Sequence, residues 1–291
     1  MCAIVGYVGD SEALQIGLDA LERMEYRGYD SAGIAVVEQG SLHLEKKEGK
    51  LQNLIDRIDE VGRDSFHGST CIGHTRWATH GRPNDVNAHP HRSFDGKAAI
   101  VHNGIIENFS TLRAEIEAAG IELESETDSE VAAHLLALAY NEGETAGDFQ
   151  ASALKVLSRL DGAFTVLFVH DDHPGTIVAG RRSTPLIVGV GEGEMFLGSD
   201  VAAFIDRTKN AVELGQDNAV VITADSYDIY DFDGNPVEGK PFTIDWDLDA
   251  AQKDGFDSFM MKEIHEQPAA VRDTLAGHFD GRRIVLDLSL I

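Results

Sequence analysis

AFTVLFVHDDHPGTIVAGRRSTPLIVGVGEGEMFLGS, residues 163–199, carries four short apolar runs in close succession: AFTVLFVH, GTIVAG, PLIVGV and MFLGS. Each is too short for a helix, and the gaps between them leave no room for helical crossovers, so they read as strands in an antiparallel series. AVEL (211–214), AVVIT (219–223) and YDIYD (227–231) continue it. GVGEGE (189–194) matches neither a dinucleotide nor a phosphate-loop spacing and reads as a hairpin turn.

Toward the N-terminus the pattern changes. Ala3 to Val8 (AIVGYV) is a buried strand, and Leu14, Leu18, Leu21 and Met24 recur at helical spacing over 11–26. AGIAVVE and HLEKKEGK read as a hairpin, 52–61 as a short helix, and TCIGHTRW as a strand running into a loop. The stretch 78–94 (ATHGRPNDVNAHPHRSF) has no periodicity, and long irregular loops inside compact domains are usually functional. KAAIVH is a strand ending at Asn103-Gly104, followed by helices over 107–119, from Thr127 to about Tyr140, and over 149–160. Thr127 and Glu130 in TDSE have capping-box spacing. Helices inserted among antiparallel strands, without steady βαβ alternation, predict an α+β fold of packed antiparallel sheets covered by helices.

With 43% hydrophobic and 25% charged residues, the composition is that of an ordinary globular protein. Fifty acidic against 24 basic residues give a formal charge of −26. Such a surface repels phosphate backbones and anionic lipid, so neither nucleic acid nor a membrane is an expected partner. No run reaches the roughly 18 apolar residues of a membrane span, and MCAIVGYVGD lacks the basic and apolar regions of a secretory signal. The expected location is cytoplasmic. Two cysteines make no disulfide framework, and Cys71 reads as a buried inert thiol.

Cys2 is either a chance neighbour of the initiator or, once Met1 is removed, a terminal residue carrying a thiol and a free α-amine. An α-amine with pKa near 7.7–8.0 suits a general base at neutral pH. Asn103-Gly104 reads either as a type I′ turn or as two N–H donors aimed at one developing negative charge. Arg76 suits a bidentate grip on a carboxylate, beside Trp77, Thr79 and His80. Asp128 is expected in the first turn of a helix, where the dipole alone would favour an acid. His89 and His91 lack further metal ligands at matching spacing, so neither a metal nor a cofactor is expected. Together these groups suit glutamine hydrolysis: a nucleophile with its own base, an oxyanion pair, a carboxylate clamp and an acid for an ammonium.

MCAIVGYVG, LERMEYRGYDSAG, GHTRWATHG, NAHPH, VHNGIIEN and SETDSE, in this order, resemble the glutaminase domain of the glutamine–fructose-6-phosphate aminotransferase family over roughly residues 2–240. EYRGYDSAG and HTRWATHG separate the chain from the amidophosphoribosyltransferases, which share the N-terminal cysteine. The resemblance implies the N-terminal-nucleophile (Ntn) hydrolase fold, a four-layer αββα sandwich. It implies Cys2 as nucleophile with its α-amine as base, and Asn103 and Gly104 as oxyanion hole. Arg76 would hold the α-carboxylate of L-glutamine and Asp128 its α-ammonium, under a loop containing Trp77, Thr79 and His80. Arg27, Gly28 and His89 would support the closed site. Ala3 departs from the family's usual glycine, though a strand position should accept alanine.

By the same resemblance 241–257 is a linker, and 258–291, with KEIHEQP, begins a sugar-phosphate isomerase (SIS) domain. RIVLDLSLI (283–291) reads as a strand without a partner, so the expectation is a truncated chain that releases ammonia from glutamine but makes no glucosamine 6-phosphate. The complete enzyme would pair the domain with its own isomerase half, in a homo-oligomer. Two rivals share part of the pattern: an N-terminal-cysteine hydrolase of acylated amines, and a non-catalytic glutamine-binding regulator. The first has no use for an Arg76–Asp128 clamp, and the second has no use for Cys2.

Overall fold

Seven consecutive residues of the first strand, β1 (Ala3–Gly9), are all buried. In the computed structural model, which describes residues 2–38, 40–78, 81–245, 256 and 259–275, this strand is central. The element order is β1, α1 (Ala13–Arg23), β2 (Ser31–Glu38), β3 (Ser41–Glu48), α2 (Leu51–Val61), β4 (Thr70–Arg76), β5 (His91–Arg92), β6 (Ala98–Ile106), α3 (Phe109–Ala118), α4 (Glu130–Asn141) and α5 (Phe149–Arg159). There follow β7 (Gly162–His170), β8 (Ile177–Arg182), β9 (Ile187–Val190), β10 (Glu194–Gly198), β11 (Asn210–Glu213), β12 (Asn218–Ile222), β13 (Tyr227–Asp231) and β14 (Lys240–Thr243). Strand β14, beside the expected boundary at 240, pairs antiparallel with β11.

The strands form an eight-stranded sheet, ordered β14-β11-β9-β10-β1-β4-β2-β3, and a six-stranded sheet, β13-β12-β8-β7-β6-β5. The pairings between named strands are antiparallel, as the short connections of 163–231 predict.

Period-2 alternation builds the layers. Ala99 and Val101 of β6, with Leu167 and Val169 of β7, join Ile4, Val8 and Ile72 of the other sheet in one core. Their neighbours Ala98, Ile100, Val166 and Phe168 point the opposite way, into a second core with Leu112, Ile116, Leu135 and Leu157 of α3, α4 and α5. Helices α1 and α2 cover the outer face of the eight-stranded sheet, contributing buried Leu14, Leu18, Leu21, Leu54 and Ile58. The strands are therefore buried on both faces over 164–170 and 98–102, which is why these stretches read as continuous apolar runs. The architecture is the expected αββα sandwich.

Two local expectations are corrected. Asn103-Gly104 is no turn, because β6 continues through it to Ile106, with Gly104 opposite Phe164 of β7. Gly104 nonetheless has φ +121, and a Cβ there would lie 2.0 Å from the Ala163 carbonyl oxygen, so only glycine fits. The TDSE capping box does not form either. Thr127 Oγ1 bonds to His91 Nε2 at 3.1 Å, and the Glu130 carboxylate accepts the N–H groups of Glu124 and Ser125. Buried partners outcompeted the local cap, and α4 opens at Glu130 with Ser129 before it.

The chain divides into two units, 1–245 and 246–291. In the second, helix α6 (Phe259–Leu275) contains Pro268 and carries exposed Met260, Ile264 and Val271. The expected strand 283–291 lies outside the described residues, as does most of the expected linker.

Candidate active site

Cys2 sits immediately before β1, whose register with β4 places Ala3 opposite Thr75. The C-terminal end of β4 therefore lies against the thiol: Trp77 N–H donates to Cys2 Sγ at 3.2 Å, and Sγ lies 3.6 Å from the Trp77 carbonyl oxygen. A fully buried strand directly behind residue 2 fixes a segment that would otherwise fray. Ala3 is itself wholly buried in that strand. The facing sheet brings up Asn103, whose Nδ2 donates to the Cys2 carbonyl oxygen at 3.2 Å. The two halves of the expected constellation thus come from opposite sheets and meet at their ends.

One cavity of about 340 Å³ holds most of the predicted residues: Cys2, Arg76, Trp77, His89, Gly104 and Asp128 all line it. Asp128 is not in the first turn of α4 but precedes it, and its Oδ2 accepts the Ile106 N–H at 2.7 Å. The end of β6 thus orients the carboxylate. Arg76 is buried, and Asp128 and Asp30 act on its charge across the site. Arg76 Nη1 and Nη2 also lie 3.5 Å from the carbonyl oxygens of Arg82 and Gly81. A buried cation and a carboxylate in one cavity suit the zwitterionic end of an amino acid.

Burial raises the pKa of the Cys2 thiol, opposed by the Trp77 hydrogen bond and the Arg76 charge. Such a thiol needs a base at the moment of attack. Cys71 is fully buried, donates to the Ala13 carbonyl oxygen at 3.2 Å, and is pushed up to about 12 by burial. It has no part in the cavity.

Arg27 and Gly28 stand behind the site. Arg27 Nη2 bonds Asp200 Oδ2 at 2.7 Å. A Cβ on Gly28 would lie 2.7 Å from the Arg76 carbonyl carbon, so glycine permits the turn after α1 to press against the Arg76–Trp77 peptide. Trp77 is 44% exposed and packs edge-on against Tyr29, ring centroids 5.4 Å apart. Thr79 and His80, expected to contact substrate, lie outside the described residues.

Sequence reading missed His74, His102, Ile105, Phe109, Thr127 and Ser129 as lining residues. His74 and His102 fall inside strand patterns, where a histidine reads as filler, and only the packing of the two sheets brings them together. Asp30 was missed as well: its Oδ2 accepts Ala78 N–H at 2.8 Å and fixes the start of the irregular loop.

Two antiparallel sheets between helices, with a cysteine at the end of a central strand, define the Ntn-type amidotransferase architecture. A glutamine phosphoribosylpyrophosphate amidotransferase from B. subtilis has the same fold, with TM-score 0.67 and 24% identity over 81% of this chain and 50% of that one. The profile of the family described as glutamine amidotransferase domain matches residues 39–228. The chain belongs to this glutamine amidotransferase family. It is 62% identical to the glutamine–fructose-6-phosphate aminotransferase [isomerizing] of Mycobacterium bovis over 99% of this chain and 47% of that protein. The namesake of Mycolicibacterium smegmatis is also 62% identical, with the same coverage. The chain spans about half the length of the curated relatives it matches. Among the described residues no helix is long and apolar enough to cross a membrane.

Proposed function

We propose that Cys2 is the nucleophile of a glutaminase half-reaction, and that the larger enzyme passes the ammonia to fructose 6-phosphate, giving glucosamine 6-phosphate. One observation carries the reading: the Cys2 thiol shares a 340 Å³ cavity with a buried cation, Arg76, and a fixed carboxylate, Asp128. Arg76 takes the α-carboxylate of glutamine and Asp128 its α-ammonium, which directs the side-chain amide at the thiol.

With Met1 removed, the α-amine of Cys2 takes the thiol proton as Sγ attacks the amide carbon. The negative charge that develops on the amide oxygen is held by Asn103 Nδ2 and the Gly104 N–H. The C–N bond then breaks, the amine proton passes to the leaving nitrogen, and ammonia departs. Water attacks the thioester by the same route reversed, releasing glutamate and the thiol. Trp77, Thr79 and His80 close over the substrate, with Arg27, Gly28 and His89 as support. Residues 258–291 belong to an isomerase domain, and the larger enzyme is a cytoplasmic homo-oligomer.

Intact mass before and after 6-diazo-5-oxo-norleucine, a glutamine analogue that alkylates the nucleophile, tests this reading. The expected result is loss of Met1 and one adduct at Cys2, in a chain that releases ammonia from glutamine without forming glucosamine 6-phosphate. A retained methionine, or the adduct on Cys71, would refute it. The Arg76–Asp128 clamp disfavours acylated amines lacking a free amino-acid end, so comparison with such amides separates that rival.

A further inference from the structure

We infer that His74 is a positioning residue, setting the side-chain amide of Asn103 so that its NH2 group, not its oxygen, faces the reacting centre. The inference rests on the reading of Asn103 as an oxyanion donor. A primary amide has two nearly isosteric orientations related by a half-turn, and only one presents a donor. The other would set an oxygen against the developing oxyanion and oppose the reaction.

The choice is made by the ring behind it. His74 Nε2 lies 3.0 Å from Asn103 Oδ1 and 3.1 Å from the His102 carbonyl oxygen. Both oxygens are acceptors, so Nε2 must carry the proton. Burial lowers the His74 pKa to about 3, leaving a neutral ring with that single N–H. Nδ1 is then bare, in keeping with its buried position without a hydrogen-bond partner. Turning the Asn103 amide over would set its NH2 against the N–H of His74 at the same separation, donor against donor. The remaining amide face donates through Nδ2 to the Cys2 carbonyl oxygen, at the nucleophile.

The ring itself is held in place. It stacks on His89 with centroids 4.3 Å apart and planes 16° from parallel. His89 is fixed in turn, because its Nδ1 accepts the His102 backbone N–H at 3.1 Å. Donation into Oδ1 also polarises the amide and strengthens Nδ2 as a donor. No hydrogen bond joins His74 to Cys2 Sγ among the described residues, so the ring acts through Asn103.

Glutamine hydrolysis by the chain and by its His74→Phe, His74→Gln, Asn103→Ala and His74→Phe/Asn103→Ala variants tests the assignment. Loss of an oxyanion donor typically lowers kcat about 10²–10³-fold, expected here for Asn103→Ala. His74→Phe is expected to lower kcat roughly 10–100-fold with KM nearly unchanged, while His74→Gln, whose NH2 can reach Oδ1, recovers part of the loss. The double variant should be no slower than Asn103→Ala alone. A full additional loss in the double variant would show that His74 acts elsewhere and overturn the proposal. An Asn103→Ala enzyme with unchanged kcat would instead remove the oxyanion reading itself. Should His74→Phe fail to fold, the imidazole 15N shifts of the unaltered protein decide: an Nε2–H tautomer supports the assignment and an Nδ1–H tautomer overturns it.

Discussion

The Trp77 backbone N–H donates to Sγ of Cys2 at 3.2 Å, so the end of β4 holds the nucleophile that β1 presents. Burial raises the pKa of this thiol, and the hydrogen bond only partly offsets the rise. A raised pKa means less thiolate at neutral pH, so alkylation of Cys2 by iodoacetamide should accelerate steadily from about pH 7 to 9. Cys71, pushed up to about 12 with its thiol wholly buried, should stay unmodified in the folded protein. Peptide mass mapping over a pH series reads both. Comparable labelling of Cys71 without unfolding would contradict this assignment of the two thiols.

Asp128 does two jobs that one substitution separates. Its Oδ2 accepts the Ile106 N–H at 2.7 Å, and its charge faces Arg76 across the cavity. Asp128→Asn can retain the hydrogen bond through its amide oxygen while losing the charge for an α-ammonium. KM for glutamine should rise about 10–100-fold, since hydrogen bonds to charged groups contribute about 1.5–3 kcal/mol, with little change in melting temperature. Asp128→Ala should lose both, with a lower melting temperature as well. Equal KM values for Asp128→Asn and the unaltered chain would remove Asp128 from substrate binding.

Arg76→Lys keeps the charge but loses the planar fork needed for two parallel bonds to a carboxylate. Glutamine hydrolysis should show KM raised by about tenfold or more, as expected for one lost charge-assisted hydrogen bond. Product inhibition by glutamate, which shares the α-carboxylate, should weaken by a similar factor. A change in kcat alone, with both constants for the amino acids unaltered, would argue that Arg76 orients the loop rather than the substrate.

Gly104 meets two demands, a φ of +121 and a Cβ position 2.0 Å from the Ala163 carbonyl oxygen. Gly104→Ala must displace either its own strand or β7, at a cost of at least about 2 kcal/mol. Urea unfolding should show a lower midpoint with an unchanged slope, and activity should fall even in the folded fraction because the oxyanion pair is moved. A stable, fully active Gly104→Ala protein would rule out this backbone geometry.

The residues that were legible from sequence are those whose signal is local. Buried stretches such as 164–170 read as apolar runs because both faces are covered, and Cys2 and Arg76 stand where a strand meets a terminus or a loop. Asn103-Gly104 misled because a dipeptide that favours turns also supplies positive φ inside a strand, and only pairing with β7 distinguishes the two. The Thr127–Glu130 spacing misled because Thr127 found His91 and Glu130 found two loop N–H groups, partners distant in sequence or outside the helix. His74 was illegible for a stronger reason. Its partner Asn103 lies on the other sheet, so its role exists only once β4 and β6 face each other.

The buried histidines make the stability of the first unit sensitive to mild acid. His74, His89, His91 and His102 are all depressed by burial, His74 to about 3. Each is neutral in the folded protein but takes up a proton on unfolding below its ordinary value near 6.5. Their contribution is therefore fully present above about pH 6.5 and lost as pH falls toward the folded values. For His74 alone the loss between neutral pH and pH 5 is roughly 2 kcal/mol. Glu130 works lower: hydrogen bonds from His134, Ser125 and Glu124 overcome its burial and hold it at about 2. Its contribution is present above its ordinary pKa near 4.5 and disappears only as pH falls toward 2. Urea midpoints at pH 7, 6 and 5 should thus fall before the carboxylates begin to titrate. Stability that stayed flat to pH 5 would mean that the histidine cluster is hydrated and charged in the folded protein.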